Sequence, residues 1–271
     1  MNEFGGTRSV VDWIYDLPVA LGFLVSAVGA VALGLAGMFL LRPFFHRWIH
    51  GQDRTNEMVS LSMASFSVFY GILLGLVAVG VYANYASAQD NVTKEASSLA
   101  ALYSDANAFS EPQRSILLAD LRRYAKDTID SDWPAQVKGV VPGAGTARMA
   151  EFQKDFVATT TAKKSEEIAY AEAFGQFEKL VELRNNRLAI VDAGIPTILW
   201  WVLWLGAFLS IGIVWMLDME AHVHSILTAV LSMFLGIVIF LIADMDKPFR
   251  GRVIASPDPY VMVYGNVMKG P

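Results

Sequence analysis

The chain has 271 residues, of which 54% are hydrophobic, 17% are charged and none is cysteine, and its formal net charge is −5. A charged share well below the usual quarter or so points to a membrane protein rather than a soluble domain. The acidic balance and the lack of a basic patch with interleaved aromatics argue against nucleic acid, and the missing cysteines exclude disulfides, thiolate catalysis and Cys-ligated metal clusters.

The N-terminal stretch lacks a signal-peptide pattern, because Glu3, Asp12 and Asp16 rather than a basic segment precede the first apolar run. That run, about residues 17–41, is uncharged and long enough to cross a bilayer as a helix. Within it Gly22, Ser26, Ala30 and Gly34 recur every four residues, a small-residue ridge suited to helix packing. A short loop carrying Arg42, Arg47 and Arg54, with His46 and His50, leads to the second crossing at about 58–85. From Met58 no charge intervenes until Asp90, which is more than a membrane span needs. The predicted helix therefore crosses lipid in its first two-thirds and carries the chain into water near Tyr82 and Asn84. Ser60, Ser62, Ser65, Ser67 and Tyr70 make it more polar than lipid requires, and Gly71 and Gly75 leave room for close approach. Such a helix faces protein or a water-filled path as well as lipid.

Residues 90–192 read as a soluble, wholly helical insertion, since no alternating strand pattern occurs there. Val92, Ala96, Leu99 and Tyr103 continue one face of the emerging helix. Ser110 to Gln113 reads as a capping box with Pro112 in the first turn of the next helix. That helix places Leu118, Leu121, Ala125 and Ile129 on one side and is expected to end at Asp132-Trp133-Pro134. A short helix with Met149, Phe152 and Phe156 follows, and then a long one beginning at Ser165.

The third crossing, about 193–217, is entered through Pro196 and flanked by Trp200, Trp201 and Trp204 at one end and Trp215 at the other, as in interfacial aromatic belts. The fourth, about 223–243, is followed by a tail, 244–271, expected to be irregular. The predicted domains are thus 1–89, 90–192, 193–243 and 244–271. The fold class is an all-α integral membrane protein with four transmembrane helices and a helical insertion between the second and third.

Four crossings place both termini and the insertion on one face of the membrane and the two short loops on the other. The arginines of the first loop, against the acidic N-terminal tail, put the short loops in the cytoplasm and the insertion outside a bacterial plasma membrane.

No nucleophile elbow, metalloprotease signature or phosphate loop is present, and no enzyme or cofactor is expected. Ser60, Ser67, Tyr70 and Asn84 recur near heptad spacings and form a candidate pore-lining stripe of hydroxyls and amides. The same groups also suit hydrogen bonding between helices. Tyr82, Asp192 and Asp244, at helix ends on one face, are a candidate vestibule, although acids and amides also end helices simply where water begins. His46, His50, His222 and His224 all fall on the short-loop face and are candidates for metal binding or pH sensing, against the plainer reading of histidines in headgroups and water. No charged residue lies in mid-membrane, and no inverted repeat with broken helices occurs, which argues against a proton-coupled transporter.

Tyr70 to Gly75 running into Asn84-Tyr85, then Glu95-Ala96, Leu99 and Leu102-Tyr103, resemble a bacterial membrane family described as bestrophin-like. So do Tyr124, Asp132-Trp133-Pro134, Arg187-Leu188, Pro196 with Trp200, and Lys247 to Gly251. The landmarks fall in order over about residues 60–257. The resemblance implies the layout of bestrophins, pentameric anion channels with four transmembrane helices and a large helical region between the second and third. Bestrophins line a narrow neck on the second helix with bulky apolar side chains, where this chain has Ser and Gly, and their inter-helix region is cytosolic, opposite to the charge-based orientation. Three functions follow: a homo-oligomeric ion channel conducting anions such as chloride along the second helix, a non-conducting signalling or scaffold protein whose insertion binds a partner, or, with least support, a metal- or pH-responsive transporter using the histidine face. The expected partners are the bilayer, further copies of the chain and inorganic ions.

Overall fold

The structure, a computed structural model, describes residues 19–49, 54–159, 164–191, 193–250 and 254–269. Its elements are α1 (Val19–Ile49), α2 (Thr55–Ala106), α3 (Gln113–Asp127), a π-helical turn (Thr128–Asp132), α4 (Trp133–Val137), α5 (Ala144–Val157), α6 (Lys164–Ile190), α7 (Thr197–Trp215), α8 (Ala221–Asp246) and α9 (Asp258–Met262), which runs into a second π-helical turn (Val263–Val267). No strand occurs among the described residues. Four helices, α1, α2, α7 and α8, are long and apolar enough to cross a membrane.

The chain folds as two compact units. A membrane unit comprises Met1–Tyr82 and Ile195–Asp246, and a helical unit comprises Ala83–Gly194 and Lys247–Pro271. The division on α2 falls at Tyr82 rather than at residue 89, and the C-terminal segment belongs to the helical unit. That segment was expected to be irregular, yet α9 and its π-helical turn occupy it. The physical reason is burial: Ala255, Tyr260 and Met268 enter the core of the helical unit, and their side chains anchor the backbone between them.

In the membrane unit, α1 packs on α8 through the small residues. A Cβ on Gly34 would collide with the Ser232 side chain, and one on Gly236 would collide with Ala30 and the Ser26 carbonyl. The helices therefore approach as closely as their backbones allow. Trp215 does not stand in an interfacial belt. It is buried at the end of α7 and its Nε1 donates to the Gly34 carbonyl at 3.0 Å, because an indole N–H in an apolar surround needs an acceptor. Trp201 and Trp204, by contrast, are exposed.

Helix α2 stays unbroken over 52 residues. Several of its hydroxyls turn back on the helix: Ser65 donates to Leu61 O at 3.0 Å, Thr93 to Gln89 O at 3.0 Å and Ser97 to Thr93 O at 2.9 Å. Their donors are thus satisfied locally, whatever surrounds the helix.

Two local expectations for the helical unit are corrected. The Ser110 hydroxyl does not cap α3. It donates to Glu166 Oε1 at 2.5 Å, and Glu111 supplies the acceptor for the α3 start, taking the Ser115 N–H at 3.3 Å and its hydroxyl at 2.6 Å. Nor does the chain stop being helical at Asp132-Trp133-Pro134. The Trp133 N–H reaches back to Thr128 O, and this π register hands the helix to α4 with Pro134 in its first turn, where a missing N–H costs little.

Candidate ion pathway and the buried charge layer

On α2 each residue advances the side-chain direction by about 100°. Ser60, Ser67, Gly71 and Gly75 therefore fall along one line, and all four are exposed in the membrane unit. A Cβ placed on Gly71 or Gly75 would meet no neighbouring atom within 4 Å. This line is small and uncharged, and it is exposed among the described residues.

Tyr70 does not belong to it. Three residues on from Ser67, it is turned by about 60° out of the line. It is buried against α7, where its hydroxyl donates to Leu203 O at 2.7 Å and its ring fills the space left by Gly206. The heptad spacing that suggested a single stripe drifts on a straight helix, and Tyr70 lies where the drift meets α7. Asn84 is exposed, on a different side of α2 from Ser60.

The small-residue ridge on α1 is taken up within the protomer. Gly22 and Gly34 are buried, and Ser26, Ala30 and Gly34 face α8. Of the two small-residue runs, the one on α2 alone remains open. The candidate vestibule divides: Tyr82 is exposed, Asp244 is buried in the last turn and a half of α8, and Asp192 lies outside the described residues.

The histidines do not converge. His50 lies outside the described residues, and His46 sits on the last turns of α1, its side chain likewise undescribed. His222 is exposed, while His224 is buried with its Nε2 2.9 Å from Val214 O at the end of α7. Two positions apart on a helix, they point to opposite sides. Among the described residues no group of three or more His, Asp or Glu is placed to hold a metal ion.

A second site, which residue-by-residue reading did not assemble, lies inside the helical unit. Glu95 on α2 and Arg187 on α6 are both fully buried, and the guanidinium grips the carboxylate with Nε to Oε2 at 2.7 Å and Nη2 to Oε1 at 3.1 Å. The Arg187 guanidinium also lies over the rings of Trp133, 5.4 Å from the centroid, and Tyr260, 6.0 Å from the centroid. Tyr124 donates its hydroxyl to Glu95 Oε1 at 3.3 Å, and Phe249 packs edge-on against Trp133 at 5.8 Å. Burial by itself would lower the Arg187 pKa, but the Glu95 carboxylate together with Tyr260 and Tyr124 outweighs it and holds the guanidinium more firmly protonated than usual. Burial pushes the Tyr124 phenol up to about 12, with Glu95 adding and Arg187 opposing. Close by, Asp132 is buried and its carboxyl is pushed above the usual range by that burial, against the pull of Arg187 and Arg184. Arg184 donates from Nη2 to Thr146 Oγ1 at 2.9 Å.

The landmarks scattered along the sequence (Glu95, Tyr124, Asp132, Trp133, Arg187 and Phe249) thus form one buried layer. Tyr260 completes it, and nothing in the sequence marks it, because a lone Tyr in a Pro-rich tail carries no periodicity.

A family model described as Bestrophin-like domain matches residues 28–260. No curated protein matches the chain in sequence. Among solved structures, point variants of a bacterial bestrophin homologue from Klebsiella pneumoniae share the fold. One superposes with a TM-score of 0.69 at 9% identity over 91% of this chain and 99% of that one. Another gives 0.66 at 11% identity over 92% and 99%. A third gives 0.64 at 12% identity over the same shares, 92% and 99%.

Proposed function

The chain belongs to the bestrophin-like family, and from that premise we propose that it is a homo-oligomeric channel through which ions pass passively along α2. The observation that carries this reading is the open line of Ser60, Ser67, Gly71 and Gly75. Hydroxyls and bare backbone on an exposed face of a membrane helix suit a water-filled path or another copy of the helix. Around a shared axis, the same line would offer Ser60 and Ser67 to a partly dehydrated ion. Anions such as chloride are the conducted class that the family resemblance suggests. Asn84, Tyr82 and Asp244 are proposed for the mouth of the path.

The proposed setting is a bacterial plasma membrane with the short loops in the cytoplasm and the helical unit outside, on the weight of Arg42, Arg47 and Arg54. Because the chain has no cysteine, single cysteines report sidedness cleanly. In intact cells an impermeant maleimide should label Lys154→Cys and spare Glu220→Cys. The reverse pattern inverts the orientation.

The deciding experiment is reconstitution in liposomes after light scattering has established the oligomeric state. Flux of chloride that requires the oligomer supports the channel. Flux of cations alone keeps the channel and removes the anion preference. An oligomer that passes neither ion, across pH, shifts the function to a signalling or scaffold protein whose helical unit binds a partner.

A further inference from the structure

At the short-loop end of the membrane unit, the Asn56 side chain pairs reciprocally with the backbone of a single residue. Its Nδ2 donates to Asp218 O at 2.6 Å, and its Oδ1 accepts the Asp218 N–H at 2.9 Å. Asp218 lies in the short loop, 216–220, between α7 and α8. The helices around that loop are already locked to one another. Trp215 at the end of α7 donates to Gly34 O on α1 at 3.0 Å, and His224 Nε2 on α8 lies 2.9 Å from Val214 O on α7. Asn56 therefore ties the first turn of α2 to a fixed point.

The next hold on α2 is Tyr70, whose ring is seated at Gly206 and whose hydroxyl donates to Leu203 O. Along a helix the two holds are about 21 Å apart. Near the second of them α2 does not close on α7. Phe66, Phe69 and Leu73 face Val202, Leu205 and Leu209 across an open apolar groove of about 220 Å³. Ser60 and Ser67 lie on the stretch between the holds, and Ser60 stands one turn on from Asn56.

The start of α2 is also strained. Arg54 has a φ of 74°, in the left-handed region that residues with a side chain seldom adopt. Its carbonyl accepts the Met58 N–H at 3.1 Å, so the strained residue is part of the first helical turn. Such a backbone persists only where its surroundings hold it, and the paired Asn56 is two residues away. Asn56 and Asp218 are both exposed, so water competes for their hydrogen bonds. The tie is a releasable one.

We propose that Asn56 is a positioning residue of the ion path: it fastens the first turn of α2 to the α7–α8 loop and so fixes where Ser60 stands. This deepens the channel reading and rests on it. With the tie made, the stretch carrying Ser60 and Ser67 is held at both ends. With the tie broken, its free end relaxes the strain at Arg54 and moves about the seat of Tyr70.

The test uses the full chain, as Asn56→Ala and as the pair Asn56→Cys with Asp218→Cys. The chain has no cysteine of its own, and side chains that meet as closely as these suit a disulfide. One protein then offers the tie made, when oxidised, and released, when reduced. Hydrogen exchange over residues 58–62 in detergent should be at least about tenfold faster in Asn56→Ala than in the unaltered protein, and in the reduced pair than in the oxidised one. Chloride flux into liposomes should differ by at least about threefold in the same two comparisons, and the change in the pair should reverse on reoxidation. Exchange that does not respond overturns the tie, as does a pair that forms no disulfide within one chain. Faster exchange with unchanged flux in a conducting protein overturns the positioning role and leaves the channel standing. A protein that passes no ion in any state, although exchange responds, removes the channel itself and the role of Asn56 with it.

Discussion

Glu95 and Arg187, 92 residues apart in the chain, close on one another as a doubly hydrogen-bonded ion pair with neither residue reachable by solvent. A charge held there without its partner has no water to replace it. Removing one member leaves the other buried and unpaired, which typically costs about 3–5 kcal/mol. Arg187→Met should therefore lower the unfolding free energy of the helical unit by about that amount, and Glu95→Gln by less, since an amide still accepts from the guanidinium. Replacing both residues by apolar ones of matching volume should recover much of the loss. Chemical denaturation of the four proteins in detergent measures this, and a double variant as unstable as Arg187→Met would contradict it.

The two sets of helical glycines should respond in opposite ways. Gly34 has Ser232 in the place where a side chain would go, so Gly34→Leu should destabilise the membrane unit by about 1–3 kcal/mol or prevent folding. Gly71 faces open space, so Gly71→Ala should leave the protomer unharmed or stabilise α2 by up to about 1 kcal/mol. If α2 lines the shared axis, the second change should alter oligomer size or flux. Light scattering alongside thermal unfolding separates the two effects.

Tyr70 and Ser67 are three residues apart and should behave differently in flux. Tyr70→Phe removes a hydroxyl that serves Leu203 O and should cost about 1 kcal/mol of stability with the conducted ion unchanged. Ser67→Ala should leave stability within about 0.5 kcal/mol. Its conductance should change by about fivefold, the scale of one hydrogen bond to the ion. Unchanged flux in Ser67→Ala would remove Ser67 from the path.

Alkaline titration reports on the buried layer. The folded Tyr124 phenol is pushed up to about 12 against about 10 when free, so its contribution is intact below about pH 10 and is lost as pH climbs through about 12. Tyrosinate absorbance should show a late component that disappears in Tyr124→Phe. Ionisation of all tyrosines near pH 10 with the fold intact would show that the layer is open to water.

Much of this architecture is legible without coordinates, because the bilayer imposes a length and a polarity that few segments satisfy. Four apolar runs of sufficient length, a helical period in the insertion and the absence of strand alternation led directly to the helical class and the membrane spans. The ordered landmarks from Tyr70 to Phe249 carried the family. What one-dimensional spacing could not decide was direction. Ser67 and Tyr70 are near neighbours in sequence, yet one is exposed and the other is locked to α7, since that depends on where the next helix lies. Trp215 has the spacing of a belt residue, yet its indole N–H is taken up by the Gly34 carbonyl on another helix. The meeting of Glu95 with Arg187 likewise belongs to tertiary structure alone. A buried charge is tolerable only beside a partner, and the chain brings that partner from a distant helix.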